Sequence, residues 1–152
     1  MLNFISIKKI VAIYTAIIFF IAADRWFKVL AIANQGRQID LIGDILKFNY
    51  QANYYIAFSL PLAGQVLEIL LVLIISALIF SGLDYWFRHK YSEAILLSLI
   101  VLGAISNLFD RLKYGYVIDY LNLKYFTVFN LADALIVFGV IFLIIILNKK
   151  NA

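Results

Sequence analysis

Four long apolar runs constrain this chain more than any other feature. They cover about residues 10–33, 66–83, 94–109 and 131–147. Each nears the roughly 20 residues that an α-helix needs to cross a bilayer core. Each is continuous, which excludes the alternating pattern of a transmembrane β-barrel. Apolar residues make up 65% of the 152 and charged residues only 14%. Soluble domains average about 45–50% and 25%, and one of this size could not hide so much apolar surface. A disordered chain would be polar and charge-rich. The expected class is an all-α integral membrane protein with four transmembrane helices. The first run is not read as a cleaved leader, because it meets Asp24-Arg25-Trp26 with no small-residue cleavage site.

Charge placement orients the spans. The N-terminus, the 84–93 loop and the C-terminus share one side, with Lys8, Lys9, Arg88, Lys90, Lys149 and Lys150 against Asp84 and Glu93. The other side balances seven basic residues with seven acidic ones. The positive side is expected to be cytoplasmic, so both termini lie inside. The net charge of +4 then reflects membrane sidedness and not a nucleic-acid partner. The outer side holds the larger loops, about 34–65 and 110–130. Within them Ile39–Phe48 reads as two short strands around Gly43-Asp44, and Tyr116–Tyr120 as extended.

The inventory removes several chemistries. There is no Cys and a single His, His89, within Arg88-His89-Lys90. Thiolate chemistry is excluded, and a zinc site or a Ser-His-Asp triad has little to build on. His89 reads as a solvated loop residue. What remains is the carboxylates, several of them at or inside helix ends, where a charge near hydrocarbon is costly and by default functional. Asp24 and Lys28, at i and i+4, share a helix face and read as a structural pair. Asn107, Asp110 and Arg111 fall on one polar face, with Ser106 beside it; the plain reading is a polar helix end, although Asn107 lies deeper than an end requires. Asn130 and Asp133 fit helix capping and the helix dipole. Asp119 has no such explanation in its aromatic, extended segment. Two carboxylates brought together there could share one proton and arm a water, as in an aspartic protease.

In order along the chain, these motifs resemble the bacterial lipoprotein signal peptidase (signal peptidase II) family, from about residue 10 to 147. Asp24-Arg25-Trp26-Phe27-Lys28 is similar to its D-x-x-x-K. Asn53-Tyr54-Tyr55-Ile56-Ala57-Phe58-Ser59 is similar to N-x-G-A-A-F-S. Asn107-Leu108-Phe109-Asp110-Arg111 follows G-N-x-x-D-R from its Asn. Gly115-Tyr116-Val117-Ile118-Asp119 follows G-x-V-x-D, and Phe129-Asn130-Leu131-Ala132-Asp133 follows F-N-x-A-D. The resemblance implies a single membrane-embedded peptidase domain, a four-helix bundle with a small extracytoplasmic β-sheet lying on the membrane. It implies Asp119 and Asp133 as catalytic aspartates, supported by Asn53, Asn107, Asp110, Arg111 and Asn130, with Asp24 and Lys28 stabilising the site. It implies removal of the signal peptide from prolipoproteins just before a diacylglyceryl-cysteine, without metal or cofactor, by a multi-pass protein of the bacterial inner membrane whose active site faces outward. Its partners are then those lipid-modified precursors and membrane lipids; nothing in the sequence demands more than a monomer.

The chain departs from the family pattern at Ala52, Tyr55, Ile56 and Ser106, where the pattern has Arg, Gly, Ala and Gly. Tyr55 and Ile56 add bulk, which bears on substrate shape. These changes motivate an alternative, a non-catalytic relative that binds signal peptides or lipids. A transporter reading expects carboxylates along the membrane depth, whereas here they cluster at its two faces. A Ser-Lys peptidase needs a Ser within reach of Lys28, and neither Ser59 nor Ser106 carries a supporting motif.

Overall fold

The computed structural model describes residues 6–54 and 64–151. Among them, four helices are long and apolar enough to cross a membrane: α1 (Ile7–Ala33), α2 (Gln65–Phe87), α3 (Tyr91–Tyr114) and α4 (Leu131–Asn151). Large apolar side chains are exposed on all four, among them Ile18 and Phe19, Ile69 and Phe80, Leu112, Val137 and Ile141. Only a hydrocarbon surround makes such faces stable. α3 is the central helix. Its Ile95 and Leu99 form a core with Ile17 of α1, and it packs against both α2 and α4.

The helices run past their apolar stretches because polar residues close their last turns. α2 continues through Phe87, where Arg88 pairs with Asp84 one turn back at 2.8 Å. α3 ends on Gly115, whose φ of 81° is left-handed and whose N–H donates to the Arg111 carbonyl. That reversal is cheap only for a residue without Cβ.

The outer segments form one antiparallel sheet of β1 (Gln38–Ile42), β2 (Leu46–Asn53), β3 (Val117–Leu123) and β4 (Val128–Phe129), in that spatial order. Strands β1 and β2 are the hairpin expected around Gly43-Asp44. On β3 the two-residue period splits two jobs. Ile118 and Tyr120 join Phe48 and Ala31 in a core against α1, so Asp119 points to the opposite face. The β2–β3 register shifts between Phe48 and Gln51, after which Asn53 pairs with Val117. Asn53 and Asp119 therefore lie diagonally on one face. Tyr55, Ile56 and Ser59 lie outside the described residues.

Two glycines let α3 and α4 touch. A Cβ on Gly103 would lie 2.8 Å from the Ala132 carbonyl oxygen, and one on Gly139 would lie 2.6 Å from Ile100 Cγ1. The obstacle at Gly103 is backbone, so the helices themselves must part. We expect Gly103→Val to cost about 1–3 kcal/mol by overpacking. The check is a lowered thermal midpoint in detergent; an unchanged midpoint would show that this contact is not tight.

Candidate active site

Asp119 leaves the middle of β3 and Asp133 leaves the first turn of α4, and Asn130 ties them together. Its backbone N–H donates to Asp133 Oδ2 at 3.2 Å, and its side-chain oxygen accepts the Asp133 N–H at 2.9 Å. That is the reciprocal bonding of a capping box, here with Asn and Asp. The same Asn130 side chain donates through Nδ2 to Asp119 Oδ1 at 2.7 Å. The capping reading of Asn130 and Asp133 thus holds, and the cap also reaches the second aspartate. Asn53 donates to Asp119 Oδ2 at 2.9 Å, and Asn107 donates to Asp133 Oδ1 at 2.7 Å.

Burial pushes the Asp119 carboxyl up to about 7, and the nearby Asp133 charge adds to the shift. The amides of Asn53 and Asn130 oppose it by favouring the anion. Asp133 stands at the positive end of the α4 dipole, with one backbone N–H and one side-chain amide aimed at it. Asp119 thus accepts from two side-chain amides, and Asp133 from one amide and one backbone N–H.

Below the pair lies a buried ionic cluster. Lys28 Nζ reaches Asp110 Oδ2 at 2.8 Å, Asn107 Oδ1 at 2.9 Å and Asp24 Oδ2 at 3.0 Å. Arg25 reaches Asp110 Oδ1 at 2.5 Å and stacks its guanidinium over Phe109. Two cations meet two carboxylates, so the cluster is balanced. Asp110 also accepts the Ile118 N–H, fastening α3 to β3. Lys28 and Asn130 both donate to Asn107 Oδ1. That fixes the amide so that its Nδ2 faces Asp133. Arg111, half-buried on the last turn of α3, sits in the field of the Asp133, Asp119, Asp110 and Glu68 carboxylates.

Every site residue expected from the sequence therefore falls in one connected cluster. Three members were not singled out there as site residues: Arg25, Ser106 and Tyr120. Tyr120 is buried, donates to Asp24 Oδ1 at 3.0 Å and accepts the Leu131 N–H at 3.1 Å. Its only sequence signal is adjacency to Asp119. Ser106 Oγ lies 3.5 Å from Lys28 Nζ, within the reach that a Ser-Lys peptidase requires. The pair is not armed, however. Lys28 spends its three N–H bonds on closer acceptors, leaving no lone pair to act as base, and the Ser106 hydroxyl donates to Asp24 Oδ2 at 2.7 Å.

The family described as signal peptidase (SPase) II matches residues 16–149. A lipoprotein signal peptidase of Halothermothrix orenii is 34% identical over 144 residues, covering 91% of this chain and 97% of that protein. One of Clostridium novyi is 36% identical over 146 residues, covering 89% and 96%. One of Streptococcus thermophilus is 36% identical over 149 residues, covering 93% and 95%. Two bacterial membrane enzyme structures determined by the in meso method share the fold. One has a TM-score of 0.78 at 22% identity and covers 93% of this chain and 90% of its own. The other has a TM-score of 0.74 at 23% identity and covers 93% and 94%.

Proposed function

The chain belongs to the signal peptidase II family, a multi-pass membrane peptidase that removes signal peptides from lipoprotein precursors, and we propose that Asp119 and Asp133 are its catalytic pair. The observation that carries this is the Asn130 bridge, one side chain bonded to both carboxylate-bearing residues. In this reading the protein sits in the bacterial inner membrane as a monomer, with both termini cytoplasmic and the pair at the outer face. The six basic residues on the terminal side against two acidic ones support that orientation. The precursor's apolar signal segment enters from the bilayer, and its diacylglyceryl chains stay in lipid.

Asp133 is the ionised base and Asp119 carries the proton. Asp133 takes a proton from a water held between them. The water oxygen attacks the scissile carbonyl carbon, while Asp119 donates its proton to the carbonyl oxygen. Collapse of the tetrahedral intermediate breaks the C–N bond. The proton on Asp133 goes to the departing nitrogen of the modified cysteine, and the intermediate's hydroxyl returns a proton to Asp119. Arg111, in the field of both carboxylates, offsets charge as it redistributes. Asn107 and Asn130 hold the carboxylate rotamers.

The pH dependence has a definite sign. Just below about 7, Asp119 keeps its proton, so the pair holds one acid beside the ionised Asp133 of this reading. Above that value both carboxylates are charged and the acid is lost. We expect kcat/KM to fall on the alkaline side with an apparent pKa near 7, a value that belongs to the pair. Infrared difference spectra test the assignment of the proton: the carboxylic-acid band should vanish in Asp119→Asn and persist in Asp133→Asn. The reverse pattern would refute it.

The function itself is tested by purified protein with a diacylglyceryl-modified precursor and an unlipidated control. Cleavage confined to the lipidated precursor is expected. Binding without cleavage would favour the non-catalytic relative, against which stands a pair whose four carboxylate oxygens each accept a hydrogen bond.

A further inference from the structure

Asp24, in α1, is fully buried and has no part in the proton transfers, yet four elements meet on it. Its Oδ1 accepts from the Tyr120 hydroxyl of β3 at 3.0 Å and from the Ala132 N–H of α4 at 3.2 Å. Its Oδ2 accepts from the Ser106 hydroxyl of α3 at 2.7 Å and from Lys28 of α1 at 3.0 Å. A carboxylate offers about four lone-pair directions, and here each is taken by a donor from a different element.

Two of those donors are hydroxyls; one stands beside a catalytic aspartate and the other beside the amide that holds its partner. Ser106 precedes Asn107, whose amide holds Asp133. Tyr120 follows Asp119, and its oxygen also accepts the Leu131 N–H, two residues before Asp133. The phenol therefore bridges the strand that carries one aspartate to the helix turn that carries the other. We propose that Ser106 and Tyr120 are positioning residues, a two-hydroxyl clamp on Asp24 that sets the spacing between Asp119 and Asp133. The inference rests on the reading of those aspartates as the catalytic pair. Two carboxylates that must hold one water between them tolerate little displacement, and small misplacements cost large factors in rate.

The test removes one oxygen at a time. Tyr120→Phe keeps the ring in its contacts with Phe27 and Phe48, both at 5.6 Å between centroids. Ser106→Ala keeps the helix. Both full-length variants are assayed on lipidated precursor beside the wild type, with rates normalised to the folded, monodisperse fraction. The expected result is a kcat about tenfold lower in each, with KM within about twofold of wild type. A merely structural role would reduce the amount of folded protein and leave kcat per folded molecule unchanged. A kcat within about twofold of wild type in either variant, or a rise in KM in place of the fall in kcat, overturns the clamp. A wild type that binds the precursor without cutting it overturns the function and the clamp together, a result distinct from an active wild type with indifferent variants.

Discussion

Asp119→Asn and Asp133→Asn are each expected to lower kcat for the lipidated precursor by at least about 1000-fold, with the double variant no slower than either single. The size follows from general acid–base catalysis, which contributes about 100- to 10,000-fold per group. The lack of additivity follows from two groups that act as one unit. The substitutions are isosteric, so KM changes little, but their structural costs differ. At Asp119 an amide keeps its oxygen toward Asn130 and its NH2 meets the NH2 of Asn53, which is half-buried at the end of β2, whereas Asn107 is buried. At Asp133 the backbone N–H of Asn130 claims the oxygen, so the new NH2 faces the NH2 of Asn107. Asn107 cannot turn, because Lys28 and Asn130 already hold its oxygen. Asp133→Asn should therefore have the lower thermal midpoint, with both variants inactive. Turnover by either variant above about one hundredth of wild type would remove the assignment.

The spans were legible because bilayer-crossing helices leave continuous apolar runs that no other element produces. Their ends were not, since α2 and α3 close on Asp84 with its capping partner Arg88, and on Asp110 and Arg111, which on apolarity alone read as loop. The β1–β2 hairpin was legible from its turn. The pairing of β2 with β3 was not, because it joins residues as far apart as Asn53 and Val117, and two-residue β4 is too short to leave a pattern. Asp119 and Asp133 stood out because a carboxylate beside hydrocarbon needs a reason. Capping explains Asn130 in the sequence, and in the structure the same side chain caps α4 and bonds Asp119. Tyr120 and Arg25 stayed hidden, and Ser106 was visible only as a neighbour of the Asn107 face, because their bonds cross more than 80 residues of chain.

Lys28→Met is expected to be the most destabilising single change in the cluster. Removing one partner of a buried ion pair costs about 3–5 kcal/mol, because the remaining charge is left without compensation. Lys28, Asp24 and Asp110 have fully buried side chains. Arg25 still covers Asp110 after the substitution, but Asp24 keeps only neutral donors. By contrast, Lys47 pairs with Asp40 at 3.8 Å and Asp44 at 3.2 Å on the open sheet, where such contacts contribute about 0–1 kcal/mol. A loss of about 3–5 kcal/mol in a chain of this size lowers the midpoint by about 10 °C. Lys28→Arg should not rescue it, since a planar fork replaces a compact ammonium in a site with no spare room. Asp24→Asn combined with Lys28→Met should recover part of the loss, because it removes both charges of that pair. Activity should not return with stability. The ammonium also makes the shorter of the two hydrogen bonds to the Asn107 oxygen, and without it only Asn130 keeps that amide's NH2 toward Asp133. A double variant that regains its midpoint but stays slow would show that the Asp24–Lys28 pair serves the site as well as the fold; one that regains both would leave the pair with only a structural role.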